Sequence, residues 1–405
     1  MIFFKVIFLS LFFLQVQANG LLSDNVLTFL DKRYTFTVDD MQHVPCNLSY
    51  IFADVKFDGK NLKVCEFGPA PCAGFVPSRV LVNGVSEELR APYWGLFWHL
   101  VAQQGLPFWL VGGDHSVDYD DFLFLGGHHV LSLNALEHDE CFQYSARQAS
   151  INQNRLNEHA GIIVCFGKNK EELLNQLKKK YSSFLWVNAG TQKFASSKDA
   201  LNPFFRAPEL RRFKPAWNIY PKKYTRSLAD TIIQDLHPVD YFIIKPINAL
   251  QSRGVMMVHA KHLDRMLKCI FSKSGIVHGV RPHGDRYWLY DQNKSFLVEE
   301  YAPSKTIIVD GRPYDPTMRL VFFMTHEQGV LNIHVLAGYW KIPVKPLDAD
   351  GNLSAQHITI AFSGKKFTGI QIDPADLQCA GGELAQMLSK LYPAMLKAAM
   401  QLPPI

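Results

Sequence analysis

The stretch Tyr241–Val258, YFIIKPINALQSRGVMMV, sets two apolar runs around a polar loop and plants one lysine, Lys245, near the end of the first run. The pattern reads as strand, loop, strand. A cation on a strand bound for the interior needs a partner, because an unpaired buried ammonium is costly. The plain alternatives are an ion pair with Glu299 or Glu300, or a side chain that snorkels out to water. The functional reading is that the partner is a polyphosphate, which lysine binds as a point charge. The loop Asn248–Gly254, NALQSRG, would then close over the phosphates and present backbone N–H groups, with Ser252 and Gly254 among its residues. It lacks GxxxxGK[ST] and so is not a P-loop, and no GxGxxG precedes a helix.

Two later stretches extend this reading. In SFLVEEYAPSK (295–305) an apolar strand ends in paired carboxylates and opens at a proline. It reads either as an edge strand with two solvated acids or as a hinge. As a hinge, its backbone would pair with an adenine edge, and a glutamate would take the sugar or the amino group. In DGRPYDPTMRLVFFMT (310–325), Asp315 stands four residues before Arg319, which opens another apolar strand, and AGYWKIP (337–343) puts Lys341 near the end of the next. Charges at one end of two antiparallel strands suit phosphate and Mg²⁺, with arginine and lysine on developing phosphate charge. The plain alternative is a surface Asp–Arg pair.

Order is the stronger signal: strand lysine, loop, helix, acidic hinge, then a meander carrying Asp, Arg and Lys. In this order the chain resembles the ATP-grasp superfamily, especially its glutathione-synthetase-like and tubulin–tyrosine-ligase-like members. The segment FLWVNAGTQKFASSKDALNPFF (184–205) is similar to the part that opens the central lobe of those enzymes, with Lys198 at the first lysine position and Lys245 at the second. The resemblance runs from Val187 to Trp340. It implies an α+β ATP-grasp fold behind a Rossmann-like α/β pre-ATP-grasp domain, in which two lobes clamp ATP. A carboxylate becomes an acyl phosphate that an amine then attacks. By the same resemblance Lys198 and Lys245 touch the nucleotide, Val298, Glu299, Glu300, Tyr301 and Ala302 form the hinge, Arg319 and Lys341 hold the transferring phosphate, and Asp315 binds Mg²⁺. ATP and Mg²⁺ are the implied cofactors, and the partners are small-molecule or peptide carboxylates and amines. The chain departs from the family where a Glu-x-Asn metal motif is expected: TGIQID (368–373) stands there, with Gln371 and Asp373. A non-catalytic binding protein of the same fold is the second reading.

Working outward, residues 62–188 alternate apolar runs with helical spacing. LKVCEF and RVLVNG read as strands, PYWGLFWHLVAQQG as a helix, PFWLVGG and DFLFLGG as short apolar runs closed by glycines, and GIIVCFG, NKEELLNQLKKKY and SFLWVN as strand, helix, strand. Such alternation argues for a largely parallel sheet flanked by helices. HLDRMLKCIF is an amphipathic helix, SFLVEEYA begins a run of strands, and KTIIVDG, MRLVFFMT and VLNIHVLAGYWKIP read as an antiparallel meander linked by short turns. GGELAQMLSKLYPAMLKAAMQ reads as a terminal helix with Pro393 inside. The expected divisions are a leader over 1–18, the pre-ATP-grasp domain over 19–195, the central lobe over 196–280 and the C-terminal lobe over 281–405.

A competing motif is GGDHS (Gly112–Ser116), which resembles the first manganese signature of the arginase-like ureohydrolases. The chain then offers LGGHHVLSLNALEHDEC instead of the second metal element of that family. His128, His129, His138 and Asp139 stand in another arrangement, and His128 and His129 read as strand-end residues and not as ligands. The ureohydrolase reading ranks third.

Composition narrows the field. A net charge of +5 over 405 residues is too small and too evenly spread for a nucleic-acid partner. Lys178, Lys179 and Lys180 end a helix, where they complement its dipole. Seven cysteines without a CxxC argue against a zinc ribbon and against a disulfide scaffold, although Cys65 and Cys72 are close enough in sequence to bridge in an oxidising compartment. MIFFKVIFLSLFFLQVQANG has the three-part layout of a secretory signal, with a cut expected after Ala18. No stretch is long enough for a stable membrane span. Export is the expectation, and a cytoplasmic chain with an uncleaved apolar segment is the alternative. ATP is scarce outside cells, so a secreted bacterial factor with a host target reconciles the leader with the nucleotide reading.

Overall fold

The computed structural model describes residues 28–69, 80–82, 85–87, 91–112, 119–151, 159–165, 171–236, 239–249, 252–271, 285–350, 353–359 and 369–401. The leader, Cys72 and most of the GGDHS motif lie outside them.

A large antiparallel sheet is built in the order Thr28–Thr37, Val330–Lys341, Thr317–Glu327, Asn47–Phe57, Leu62–Pro69, with Gly369–Ile370 beside Val330–Lys341. Its central hairpin turns at Gln328 and Gly329, both at positive φ (47° and 76°), the geometry that matches strand twist in a two-residue turn. The centre of Thr317–Glu327, Leu320–Met324, is covered on both faces and therefore reads as an unbroken apolar run. Met318, Leu320, Phe322 and Met324 meet the long helix Pro374–Gln401. Val321 and Phe323 meet Phe97 and Trp98 of the helix Ala91–Ala102. Pro393 lies inside the terminal helix, as its sequence suggests.

A smaller antiparallel sheet runs Trp217–Pro221, Ser295–Glu300, Tyr241–Pro246, Met256–His259. The helices Leu228–Leu236 and Leu263–Phe271 bury Ile232, Leu263 and Leu267 against Phe242, Ile244 and Val298. A third sheet is parallel, in the order His128–Val130, Phe108–Val111, Gly161–Cys165, Phe184–Trp186.

The chain is thus α+β with a parallel-sheet unit, but residues 19–195 do not form one α/β domain. Thr28–Thr37, Asn47–Phe57 and Leu62–Pro69 join the large sheet instead. The reason is local. Parallel strands need a long crossover, whereas Phe57 and Leu62 are joined by a tight turn with Gly59 at φ 102°, which allows only an antiparallel return. The boundary at 280 also shifts, because Ser295–Glu300 pairs inside the smaller sheet. DFLFLGG is a short helix, Tyr119–Phe124, followed by a turn. The meander loses its first member: Ile307–Val309 pairs with Arg312–Tyr314 as a separate hairpin. Val80–Val82 pairs with Val85–Glu87 and not with the parallel sheet.

Candidate functional site

The large and small sheets approach each other at their charged ends. In the large sheet Asp54 and Lys56 lie on one strand, with Arg319 directly across from Asp54 and Glu66 directly across on the other side. Opposite residues share a face, so Arg319, Asp54 and Glu66 form a row. Arg319 grips Asp54 with two nitrogens, Nε at 2.6 Å and an Nη at 2.7 Å, and Lys341 Nζ reaches the same carboxylate at 2.7 Å. Burial alone would raise the Asp54 carboxyl, but Arg319 and Lys341 outweigh it and hold the group well below the usual carboxylate range.

In the small sheet Glu299 pairs with Lys245 and, at 2.6 Å, with Lys214. Both lysines also reach across the gap. Lys214 donates to the Val64 and Cys65 carbonyls at 3.1 and 3.3 Å, and Lys245 to the Cys65 carbonyl at 3.4 Å. Burial disfavours the ionised Glu299 and the two ammonium groups reverse that, so its carboxyl titrates below its ordinary value. Burial lowers Lys214, whereas for Lys245 the attraction of Glu299 overcomes burial and raises it.

Asp315 forms a third centre. Its Oδ2 accepts from Lys56 (2.8 Å) and Tyr301 (2.8 Å) and lies 2.9 Å from His357 Nδ1, while Oδ1 accepts the Ser304 N–H at 2.8 Å. Burial opposes its ionisation, and Lys56 prevails and lowers it.

These centres surround one cavity of about 80 Å³, whose wall includes Asp54, Lys56, Glu66, Lys245, Glu299 and Tyr301. A second cavity of about 410 Å³ adjoins it, sharing Lys56, Pro215, Glu300, Tyr301 and Ala302 and adding Lys63 and Arg212.

The structure therefore puts Lys245 and Glu299 on the cavity wall, with Arg319 and Lys341 behind Asp54 and Asp315 behind Lys56 and Tyr301, and all of them have protein partners already in hand. Lys245 takes the ion pair with Glu299 that was the plain alternative. Asp315 carries an ion pair and three further contacts, which leaves it poorly suited to Mg²⁺. Val298 is a core residue, fully buried. The Glu300 and Tyr301 N–H groups go to the Ala216 and Tyr241 carbonyls at 2.8 and 3.1 Å, so neither serves an adenine edge in this state. Lys198 holds the start of the loop through the Ala249 carbonyl at 2.7 Å. Ser252 bonds the Thr359 carbonyl at 2.9 Å. Gly254 has φ 71°, and a Cβ there would stand 2.8 Å from Pro246 Cγ. Gln371 is exposed, and Asp373 caps the terminal helix through the Ala375 N–H at 2.8 Å.

Sequence reasoning missed Asp54, Lys56, Glu66, Lys214 and His357. Asp54 and Lys56 carried the same signal as Lys245, a charge inside an apolar run (IFADVKF). Lys214 and His357 lie outside strands and gave none.

Two antiparallel sheets thus meet at a shared charged cleft, beside a parallel-sheet unit. No family model matches the chain, and no curated protein sequence matches it. Among solved structures, D-cycloserine synthetase DcsG is similar at 11% identity and a TM-score of 0.30, over 70% of this chain and 82% of that one. D-alanyl-alanine synthetase A from Vibrio cholerae is similar at 8% identity and a TM-score of 0.31, over 71% and 81%. A RimK domain ATP-grasp protein from Sphaerobacter thermophilus is similar at 11% and 0.30, over 70% and 97%.

Proposed function

We propose that the chain has the ATP-grasp fold, binds ATP with Mg²⁺ between its two antiparallel sheets, and uses it to join a carboxylate to an amine through an acyl phosphate. The observation that carries this reading is the charge of the cleft. Lys56 and Lys245 are buried on the cavity wall and Lys214, Arg319 and Lys341 directly behind it, with the buried carboxylates Asp54, Glu299 and Asp315. The half-buried Glu66 and Glu300 on the cavity wall offset the other two cations in the closed cleft, so an entering triphosphate would replace carboxylates as the partner of these lysines.

The smaller cavity would take phosphates, and the larger one, within the usual range for small-molecule sites, the nucleoside beside Ala302. A triphosphate exceeds about 80 Å³, so the lobes must part to admit it. Mg²⁺ commonly uses one or two carboxylates plus substrate phosphates. Glu66, opposite Asp54 and on the cavity wall, suits that role better than Asp315 does. Arg319 and Lys341, beside it, would face charge developing on the transferred phosphoryl group.

Thermal denaturation with and without ATP·Mg²⁺ tests binding, with a rise in melting temperature expected. Turnover is tested by supplying ATP, Mg²⁺ and a panel of amino acids with hydroxylamine, which converts an acyl phosphate into a hydroxamate. A melting shift without hydroxamate or ADP selects a non-catalytic nucleotide-binding protein; no shift at all, which the occupied hinge N–H groups would accommodate, selects a binding protein that does not take ATP. A shift with Mn²⁺ alone returns the ureohydrolase reading. Export also belongs to the proposal: mass spectrometry is expected to find the mature chain outside the producing cell, beginning after Ala18. An intact Met1 form confined to the cytoplasm would overturn export.

A further inference from the structure

Away from the cleft, three side chains of the parallel-sheet unit turn their donor atoms toward one point. His128 opens the edge strand His128–Val130, Asp139 immediately precedes the helix Glu140–Ile151, and Cys141 is that helix's second residue. One imidazole nitrogen, one carboxylate oxygen and the thiol sulfur lie within 4.8 Å of one another.

The fold holds this arrangement through a neighbour. Trp109, fully buried on the adjacent strand Phe108–Val111, donates its indole N–H to Asp139 Oδ1 at 3.1 Å. Its ring stacks on His128, with centroids 5.4 Å apart and an interplanar angle of 21°. Asp139 Oδ1 also accepts the Phe142 N–H at 2.8 Å, the bond of a helix N-cap. Capping explains Oδ1. It does not explain why a thiol and an imidazole converge on the same carboxylate, whose Oδ2 accepts nothing among the described residues.

We propose that His128, Asp139 and Cys141 form a site for a divalent transition metal of the Zn²⁺ class, with its fourth position open to solvent. The donor set selects the metal: thiolate and imidazole suit Zn²⁺ and Co²⁺, and Mg²⁺ or Ca²⁺ would want oxygen alone. A tetrahedral ion with nitrogen and oxygen at about 2.0–2.1 Å and sulfur at about 2.3 Å sets its ligand atoms roughly 3.3–3.8 Å apart. Closing from 4.8 Å or less needs a shift of about 1 Å, which the exposed Cys141 can make by a rotamer adjustment. The alternative chemistry for these three residue types is a Cys–His–Asp nucleophile. That relay places the thiol and the carboxylate on opposite nitrogens of the imidazole, each hydrogen-bonded to it. Here all three converge, and none bonds another among the described residues. Trp109 acts as the positioning residue, orienting both the carboxylate and the imidazole. The site is independent of the nucleotide cleft.

The test is a Co²⁺ titration of the full chain followed by Zn²⁺ displacement. One equivalent should bind, with a near-ultraviolet thiolate-to-cobalt charge-transfer band that Zn²⁺ abolishes. Cys141→Ser should remove the band, His128→Ala should weaken binding at least about tenfold, and Trp109→Phe should weaken it about tenfold while keeping the band. Circular dichroism checks that each variant is folded. Zn²⁺ should also protect Cys141 from iodoacetamide. Absence of saturable binding, a band undiminished in folded Cys141→Ser, or alkylation of Cys141 unaffected by Zn²⁺ would each overturn the site.

Discussion

Asp54 and Glu299 face the same cleft from different sheets, and each is gripped by two cations, yet the two clusters are built differently. Asp54, Arg319 and Lys341 all belong to the large sheet, with Arg319 in direct register across from Asp54. Glu299 is held by a lysine of its own sheet and by Lys214 from the segment before it, and both lysines also bond the Val64–Cys65 backbone of the large sheet. This second cluster bridges the two sheets and would have to rearrange if they parted to admit a nucleotide. The difference teaches which charges are scaffold and which are exchangeable. The first cluster fixes a row of groups within one sheet, and in the proposed function the second would be a latch whose protein contacts an entering anion replaces.

The sharpest way to break this contrast is Arg319→Met. It leaves Asp54 buried with Lys341 alone, and breaking a buried pair costs about 3–5 kcal/mol. Urea denaturation should show a loss near the top of that range, undiminished by added ATP if the variant no longer binds. Glu299→Gln should cost less, about 3 kcal/mol or below, because Lys214 and Lys245 regain water as the lobes part. It should leave ATP affinity equal or higher, since a competing anion is gone. A drop in affinity would make Glu299 a nucleotide ligand and erase the distinction between latch and scaffold.

Acid sharpens the comparison further. Asp54, Glu299 and Asp315 all titrate lower in the fold than in the unfolded chain. Their contribution is therefore complete above the ordinary carboxylate pKa and is lost as pH falls through the folded value. Stability by urea midpoint should be flat near neutrality and fall steeply below about pH 4.5. Glu299→Gln should remove part of that slope. The smallest effect expected is from Tyr301→Phe, which deletes the hydroxyl's contacts with Asp315 and His357 and should cost about 1–2 kcal/mol.

The elements most legible in sequence were those whose partners are near in the chain. The loop after Lys245, the turn at Gln328 and Gly329 and the terminal helix follow from local pattern and turn chemistry. Pairings across long separations left no local trace. Asn47–Phe57 beside Thr317–Glu327 joins segments more than 250 residues apart, and this one pairing delivers Asp54 to Arg319 and Lys56 to Asp315. The charge of Lys245 was readable as a buried cation and Glu299 as its candidate partner, but that Lys214 shares the carboxylate and that Lys245 also bonds the Cys65 carbonyl are not announced by its own strand.

Equilibrium dialysis of ATP with Mg²⁺, run side by side on the native chain and on Lys245→Ala, tests the central claim most directly. Lys214 still pairs with Glu299 in the variant, so the latch keeps a cation and the fold is retained. The account predicts one saturable site on the native chain and at least a tenfold loss, about 1.4 kcal/mol, in the variant. No saturable binding, or equal affinity in the two folded chains, would contradict it.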